Sequence, residues 1–129
     1  ISTKGRYALR LMLDLAMNNP EEYISLKDIA TRQEISIKYL ERIIAILNKA
    51  GYVKSSRGNA GGYKLARKPN EYKVGDILRT AEGDLAPTTC VQEGCHKQDS
   101  CLTYSFWQGL DNAIENYVDS KTLEDLIKK

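Results

Sequence analysis

Along the first fifty positions apolar residues recur at three- and four-residue intervals, with polar residues between them, the period of helices packed on a common core. From Gly5 to Met17, Ala8, Leu11, Leu13, Leu15 and Ala16 supply a broad apolar surface, and Asn18, Asn19 and Pro20 end the helix. A second, short helix is predicted from Ser25 to Gln33. Ser25-Leu26-Lys27-Asp28 has capping-box spacing: the serine hydroxyl can accept from an early backbone N–H, and the aspartate sits at the positive helix end. Ser36 offers a further cap for a helix from Ile37 to Ala50. Leu40, Ile43, Ile44 and Leu47 repeat on its inner face, and Gly51 stands just past its end. Two short capped helices joined by a tight turn are a helix-turn-helix.

The period then changes. Tyr52 to Ser56 and Tyr63 to Ala66 can form strands, and the intervening Arg57-Gly58-Asn59-Ala60-Gly61-Gly62 accepts the positive dihedrals of a tight connection. A hairpin in this place is a wing. Val74 to Ala81 reads as a short helix, whereas Glu82 to Ser100 has no period and is long for an unsupported loop. A last long helix is predicted from Leu102 to Val118, with Leu102, Phe106, Leu110, Ala113, Ile114 and Tyr117 in one stripe and Trp107 beside it. Asp119 and Ser120 interrupt it, and Thr122-Leu123-Glu124-Asp125 opens a terminal turn. Such a helix is about 26 Å long at ~1.5 Å per residue. Pairing with a second copy would bury its stripe; packing on its own core is the alternative. The expected fold is mainly α: a winged helix-turn-helix domain at 1–81 with a two-stranded β-hairpin, a cysteine-bearing sensor loop at 82–101, and a dimerisation helix with a C-terminal turn packing back on the core at 102–129.

Charge sharpens this picture. The net charge of +2 hides thirteen Lys or Arg against six Asp or Glu in residues 1–70, and six against eleven in residues 71–129. A basic half joined to an acidic one suits a protein that offers one face to a polyanion, although chance unevenness gives the same sum. Double-stranded DNA is the polyanion that a helix-turn-helix fits. The first-turn side chains of the second helix would meet base edges: Ile37, Lys38, Tyr39, Glu41 and Arg42. Lys38 can donate to guanine, and Glu41 can accept from cytosine N4, lie away from DNA, or pair internally. Arg57 at the hairpin turn is a candidate for a base edge or a narrow minor groove. Ser36, Lys54, Asn59 and Lys64 are candidate phosphate contacts, as are Lys4 and Arg6 at the start of the first helix. Two symmetric copies would read a palindromic operator with half-sites about one turn, roughly 34–36 Å, apart.

The three cysteines, Cys90, Cys95 and Cys101, lie within the loop as C-x4-C and C-x5-C. An odd, local set is no complete disulfide framework; in a reducing compartment it points to metal or redox chemistry. Thiolates suit an iron–sulfur cluster or zinc, and a thiol switch or inert cysteines remain open readings. The lone histidine, His96, and Tyr104, Glu93, Asp99 or a residue from a partner chain are candidates for a further ligand. No apolar run approaches the ~20 residues of a membrane span, and no basic-then-apolar leader stands at the start, so a cytoplasmic location is expected. An enzyme is not expected: Ser36, Ser55 and Ser56 lack a His/Asp arrangement, and no G-x-x-x-x-G-K-[ST] loop occurs. A protein-interaction adaptor on the same fold is the rival without DNA.

The opening Ile1-Ser2-Thr3-Lys4-Gly5-Arg6-Tyr7-Ala8, the segments Ser25-Leu26-Lys27-Asp28-Ile29-Ala30 and Tyr39-Leu40-Glu41, the hairpin from Ser56 to Leu65 and the close Thr122-Leu123-Glu124-Asp125-Leu126 together resemble the bacterial winged-helix regulators that include IscR, NsrR and CymR. The resemblance covers nearly the whole chain. It implies a homodimer crossed through the long C-terminal helix, gene repression or activation at palindromic operators, iron–sulfur or sulfur metabolism among the targets, and no enzymatic activity. It also implies that Lys38, Glu41 and Arg57 contact bases and that Cys90, Cys95 and Cys101 hold a 2Fe–2S cluster, as in the IscR-like branch; CymR-like members lack this trio. The sequence departs from the IscR pattern in two places. The first cysteine interval is one residue shorter, and Tyr104 stands where IscR has a histidine ligand, which leaves the fourth ligand unassigned.

Overall fold

The computed structural model describes residues 1–18, 20–56, 61–94 and 99–128. In chain order the elements are α1 (Thr3–Met17), α2 (Leu26–Gln33), α3 (Ile37–Lys49), β1 (Val53–Ser55), β2 (Tyr63–Leu65), a 3-10 turn (Pro69–Glu71), α4 (Val74–Glu82), α5 (Thr89–Glu93), α6 (Tyr104–Asp119) and α7 (Leu123–Lys128). Mainly helical with one antiparallel hairpin, the chain has the winged-helix architecture that its hydrophobic period predicts.

The caps are where side chains could make them. The hydroxyls of Ser25 and Ser36 accept from the N–H groups of Asp28 and Tyr39 at 3.1 and 3.2 Å. Thr122 and Asp125 form a reciprocal pair at the start of α7, at 2.9 and 3.2 Å. Each cap of this kind is worth about 1 kcal/mol. Gly51, at φ +80°, turns the chain out of α3 in a conformation that a side chain would strain.

One core joins α1, α2, α3, α4, the hairpin and α7. Leu11, Met12, Leu15, Ile29, Leu40, Leu47, Ile77 and Leu123 have no exposed surface in it. The inner residues of α3, Leu40, Ile43, Ile44 and Leu47, are all buried there, which fixes the direction of its outer face. In the hairpin Val53 pairs with Leu65, Lys54 with Lys64 and Ser55 with Tyr63. Val53 and Leu65 enter the core, so the lysine pair stands on the opposite side of the ribbon. Ile24 extends the sheet through two 2.8 Å backbone bonds with Tyr63. A Cβ at Gly62 would come within 2.7 Å of the Ile24 backbone, so glycine is required by close approach here. The Tyr72 hydroxyl donates to the Tyr52 carbonyl at 2.7 Å and accepts from the Ala66 and Arg67 N–H groups at 3.0 Å, anchoring the base of the wing.

A second, smaller cluster of Val74, Leu78, Leu85 and Val118, with Ile114 and Leu126 against it, attaches the C-terminal half of α6 to α4. Arg79 reinforces the crossing: it donates to both Asp119 oxygens at 2.9 Å and pairs with Glu115. The helices approach so closely that a Cβ on Gly75 would fall on the Asp119 carboxylate.

Two expectations need correction. The stretch from Glu82 to Ser100 is not structureless, because α5 forms within it and packs against α6. A five-residue helix with a single central valine, Val91, is too short to show a period. The last helix begins at Tyr104 rather than Leu102, and Leu102 is left 96% exposed.

Candidate nucleic-acid interface

The outer face of α3 is an open surface lined by Ser36, Lys38, Tyr39, Glu41, Arg42 and Ala45. Lys38, Glu41 and Arg42 are exposed, and among the described residues none of them lies in an ion pair. The internal pairing open to Glu41 on sequence is therefore not made among them. Ile37, at the first position of α3, is 43% exposed and presents an apolar surface of the kind that meets a thymine methyl. Ser36 spends an acceptor lone pair on its cap and keeps its hydroxyl proton to donate.

Tyr39 is placed differently from its neighbours. Its ring meets Tyr7 edge to face at 5.4 Å, and its hydroxyl lies 3.2 Å from that of Thr3, so it ties α3 to the first turn of α1. Lys4 and Arg6 are exposed on that same turn. The turn is itself held by Glu82, the last residue of α4, whose Oε1 accepts from the Ser2 N–H and hydroxyl and from the Gly5 N–H at 3.0, 2.6 and 2.7 Å. Burial alone would push the Glu82 carboxyl up, but the bonds from Ser2 and Gly5 outweigh it and hold the group below the usual carboxylate range.

The turn between α2 and α3 is fixed from behind by residues that periodicity did not single out. Asp14, 2% exposed, accepts from Arg32 Nε and Nη2 at 3.1 and 2.8 Å and from Gln33 Nε2 at 2.9 Å. Arg10 donates to the Gln33 side chain at 3.1 Å and to its carbonyl. Glu34 then takes the left-handed conformation, at φ 55°, that ends α2. The sequence did carry a signal for this network. Asp14 falls between Leu11 and Leu15 on the inward face of α1, and a charge at a core position demands a partner.

In the wing, Lys54 is exposed, and Lys64 is half-buried with its ammonium 4.9 Å above the Tyr23 ring. Arg57 and Asn59 lie outside the described residues. Ile114 is half-buried against the second cluster, whereas Phe106, Leu110 and Tyr117 are 64%, 38% and 67% exposed and Ala113 is exposed beside them. Phe106 and Trp107 pack edge to face at 5.0 Å.

Of the cysteines, Cys90 lies on α5, half-buried, with its sulfur 3.5 Å from the Thr88 hydroxyl. Cys101 is exposed, three residues before α6. Hydrogen bonds from the Thr103 side chain and backbone and from the Tyr104 N–H hold its thiol below the usual range. Tyr104 opens α6; Cys95 and His96 lie outside the described residues. α5, which bears Cys90, packs on α6, which begins three residues after Cys101, and thiolates are the donors that a soft metal centre takes. Among the described residues no three His, Cys, Asp or Glu side chains gather as a metal site. No described helix is long and apolar enough to cross a membrane.

A helix-turn-helix with an exposed charged face, followed directly by a β-hairpin, defines a winged-helix DNA-binding transcription regulator. The chain belongs to the Rrf2 family, described as iron-dependent transcriptional regulators, whose pattern matches residues 1–129. It is 42% identical to protein rrf2 of Nitratidesulfovibrio vulgaris over 130 residues, covering 99% of this chain and 87% of that protein. Among solved structures it is similar to T. potens IscR, with 46% identity, a TM-score of 0.81 and coverage of 99% of this chain and 85% of that one. It is also similar to CymR (YrzC), the global cysteine regulator of B. subtilis, with 41% identity, a TM-score of 0.78 and coverage of 98% and 94%. These relatives are regulators, and this chain is a transcription regulator and not an enzyme.

Proposed function

We propose that the protein is a cytoplasmic repressor that binds an inverted-repeat operator as a homodimer, and that a 2Fe–2S cluster held by Cys90, Cys95 and Cys101 sets its DNA affinity. The observation that carries the DNA reading is the exposed outer face of α3. Lys38, Glu41 and Arg42 keep their hydrogen-bonding capacity there, while the buried inner face and the Asp14 network prevent the helix from rolling. In this reading Lys38 donates to guanine and Glu41 accepts from cytosine, which rejects the opposite base pair at those steps. Ser36, Lys4, Arg6, Lys54, Lys64 and Asn59 hold phosphates and fix register, and Arg57 enters the groove beside the wing. Arg42 adds charge on the same face, and Tyr39 braces it.

The cluster would supply one-electron redox chemistry and sensitivity to oxidants. The residues of this chain would act by ordering: thiolates on α5, after it and just before α6 would tie those segments to one another. IscR-like relatives support the cluster. A zinc or thiol switch is the second reading, favoured by the exposure and lowered pKa of Cys101. Anaerobic purification with iron, sulfide and visible-absorption measurement separates the two. The cluster reading expects equal iron and sulfide and a coloured protein, both lost in Cys90→Ser. A colourless, sulfide-free protein containing zinc would overturn it.

A further inference from the structure

We propose that Glu82 is a positioning residue for base reading: from the end of α4 it fixes the first turn of α1, which holds the first turn of α3 at the angle that presents Lys38 and Glu41. This role rests on the DNA-binding reading of α3 and deepens it.

The first turn of a helix leaves backbone N–H groups without partners, and a carboxylate near them is stabilising. α1 carries no acidic residue in its own first turn. Glu82 supplies one from 77 to 80 positions away, and its bonds from the Ser2 N–H, the Ser2 hydroxyl and the Gly5 N–H all fall on Oε1. Gly5 is what lets the carboxylate approach. A Cβ there would stand 2.8 Å from that same oxygen.

What this grip secures is the part of α1 that the core does not. From Ala8 onward α1 shares its buried core with Ile77 and Ala81 of α4. Ser2, Thr3 and Lys4 are exposed, and an exposed helix end frays at little cost to the whole fold. This exposed turn nonetheless touches the reading helix. The Thr3 hydroxyl lies 3.2 Å from that of Tyr39, and Tyr7, one turn further along the same side of α1, meets the Tyr39 ring edge to face. Tyr39 follows Lys38 in sequence and borders the outer face of α3 together with Lys38 and Glu41. Loosening the turn would therefore cost the fold little but release Tyr39, and the angle of α3 with it. Hydrogen bonds to base edges weaken steeply with misalignment, so sequence discrimination is where the loss would register.

For the test, the wild-type full chain selects an operator from a random-sequence pool. The ratio of affinities for that operator and for a scrambled duplex is then measured at one salt concentration for wild type, E82A, E82Q and G5A, beside urea melting of each. A smaller folded fraction lowers both affinities alike and leaves the ratio unchanged, so the ratio reports the aim of α3 rather than stability. E82A should lower the ratio by about tenfold, the share of roughly one base contact, while its urea midpoint moves little. Glutamine keeps one acceptor oxygen without the charge, so E82Q should keep the wild-type ratio. G5A keeps the carboxylate and improves helix propensity, but its methyl displaces Oε1, so its ratio should fall with that of E82A. Charge alone predicts otherwise: losing a carboxylate would strengthen binding to both duplexes, equally in E82A and E82Q. An unchanged ratio in E82A would overturn the role, as would a fall in E82Q as deep as in E82A, or a wild-type ratio in G5A. If the wild type enriches no sequence from the pool, the DNA-binding reading of α3 itself fails, and this role with it.

Discussion

Phe106→Glu should convert the protein into a folded monomer and lower its operator affinity by about a hundredfold or more. Phe106 is 64% exposed in the single chain, and with Leu110 and Tyr117, and with Leu102 just before the helix, it gives α6 a run of large apolar side chains facing water. Monomeric proteins rarely leave such a surface contiguous and open. A glutamate at its centre would be buried in the interface twice, since a two-fold interface uses the same patch of both copies. Burying an uncompensated charge from each copy is costly, so the dimer should come apart. The fold should survive, because within the chain the side chain gives up chiefly its edge contact with Trp107, worth about 1 kcal/mol. Operator binding should fall because one helix-turn-helix engages one half-site. The second contact then loses its effective-concentration advantage, about 10²–10⁴ in such linked systems. Light scattering gives the mass and fluorescence anisotropy the affinity. A variant that remains a dimer with wild-type affinity would show that this face does not join two copies.

Asp14→Ala should cost about 2–3 kcal/mol of stability and weaken operator binding in the fraction that remains folded. Breaking a buried ion pair commonly costs about 3–5 kcal/mol because the surviving charge is left in a dry site. Here the survivor, Arg32, has a side chain that is 39% exposed and can recover water, which places the expected loss lower. Gln33 also loses its acceptor, and with it the turn before α3 loses its tie to α1. For a domain of typical stability, ~5–15 kcal/mol, such a loss is large. Urea denaturation measures it. Asp14→Asn should recover part, since an amide oxygen still accepts one bond from Arg32. If Asp14→Ala shifts the midpoint negligibly and leaves binding intact, the network does not hold the reading helix.

How much of this was legible in the sequence depends on the range over which each contact acts. The caps at Ser25, Ser36 and Thr122 and the inner face of α3 are local, set by spacing alone, and the structure realises them. The winged-helix class follows from their order. What spacing could not show were contacts between distant segments. Glu82 reaching Ser2 and Gly5 joins residues 80 and 77 positions apart, and Arg79 reaching Glu115 and Asp119 spans 36 and 40 positions. Tyr39 was expected at the DNA for its place in the first turn of α3, but contact with Tyr7 and Thr3 gives it a bracing position as well. The helix carrying Cys90 leaves no periodic signal because five residues hold little more than one turn. At Arg57, Asn59, Cys95 and His96 the expectations rest on sequence and resemblance.

Hydroxyl-radical footprinting of the protein on a selected operator most directly tests whether two copies present the outer face of α3 to successive major grooves. The predicted result is a pair of symmetric protected patches centred about one helical turn, roughly 34–36 Å, apart. Lys38→Ala and Glu41→Ala should each change base preference at one symmetric pair of positions within them. A single unpaired patch, with the base preference of both variants unchanged, would contradict the account.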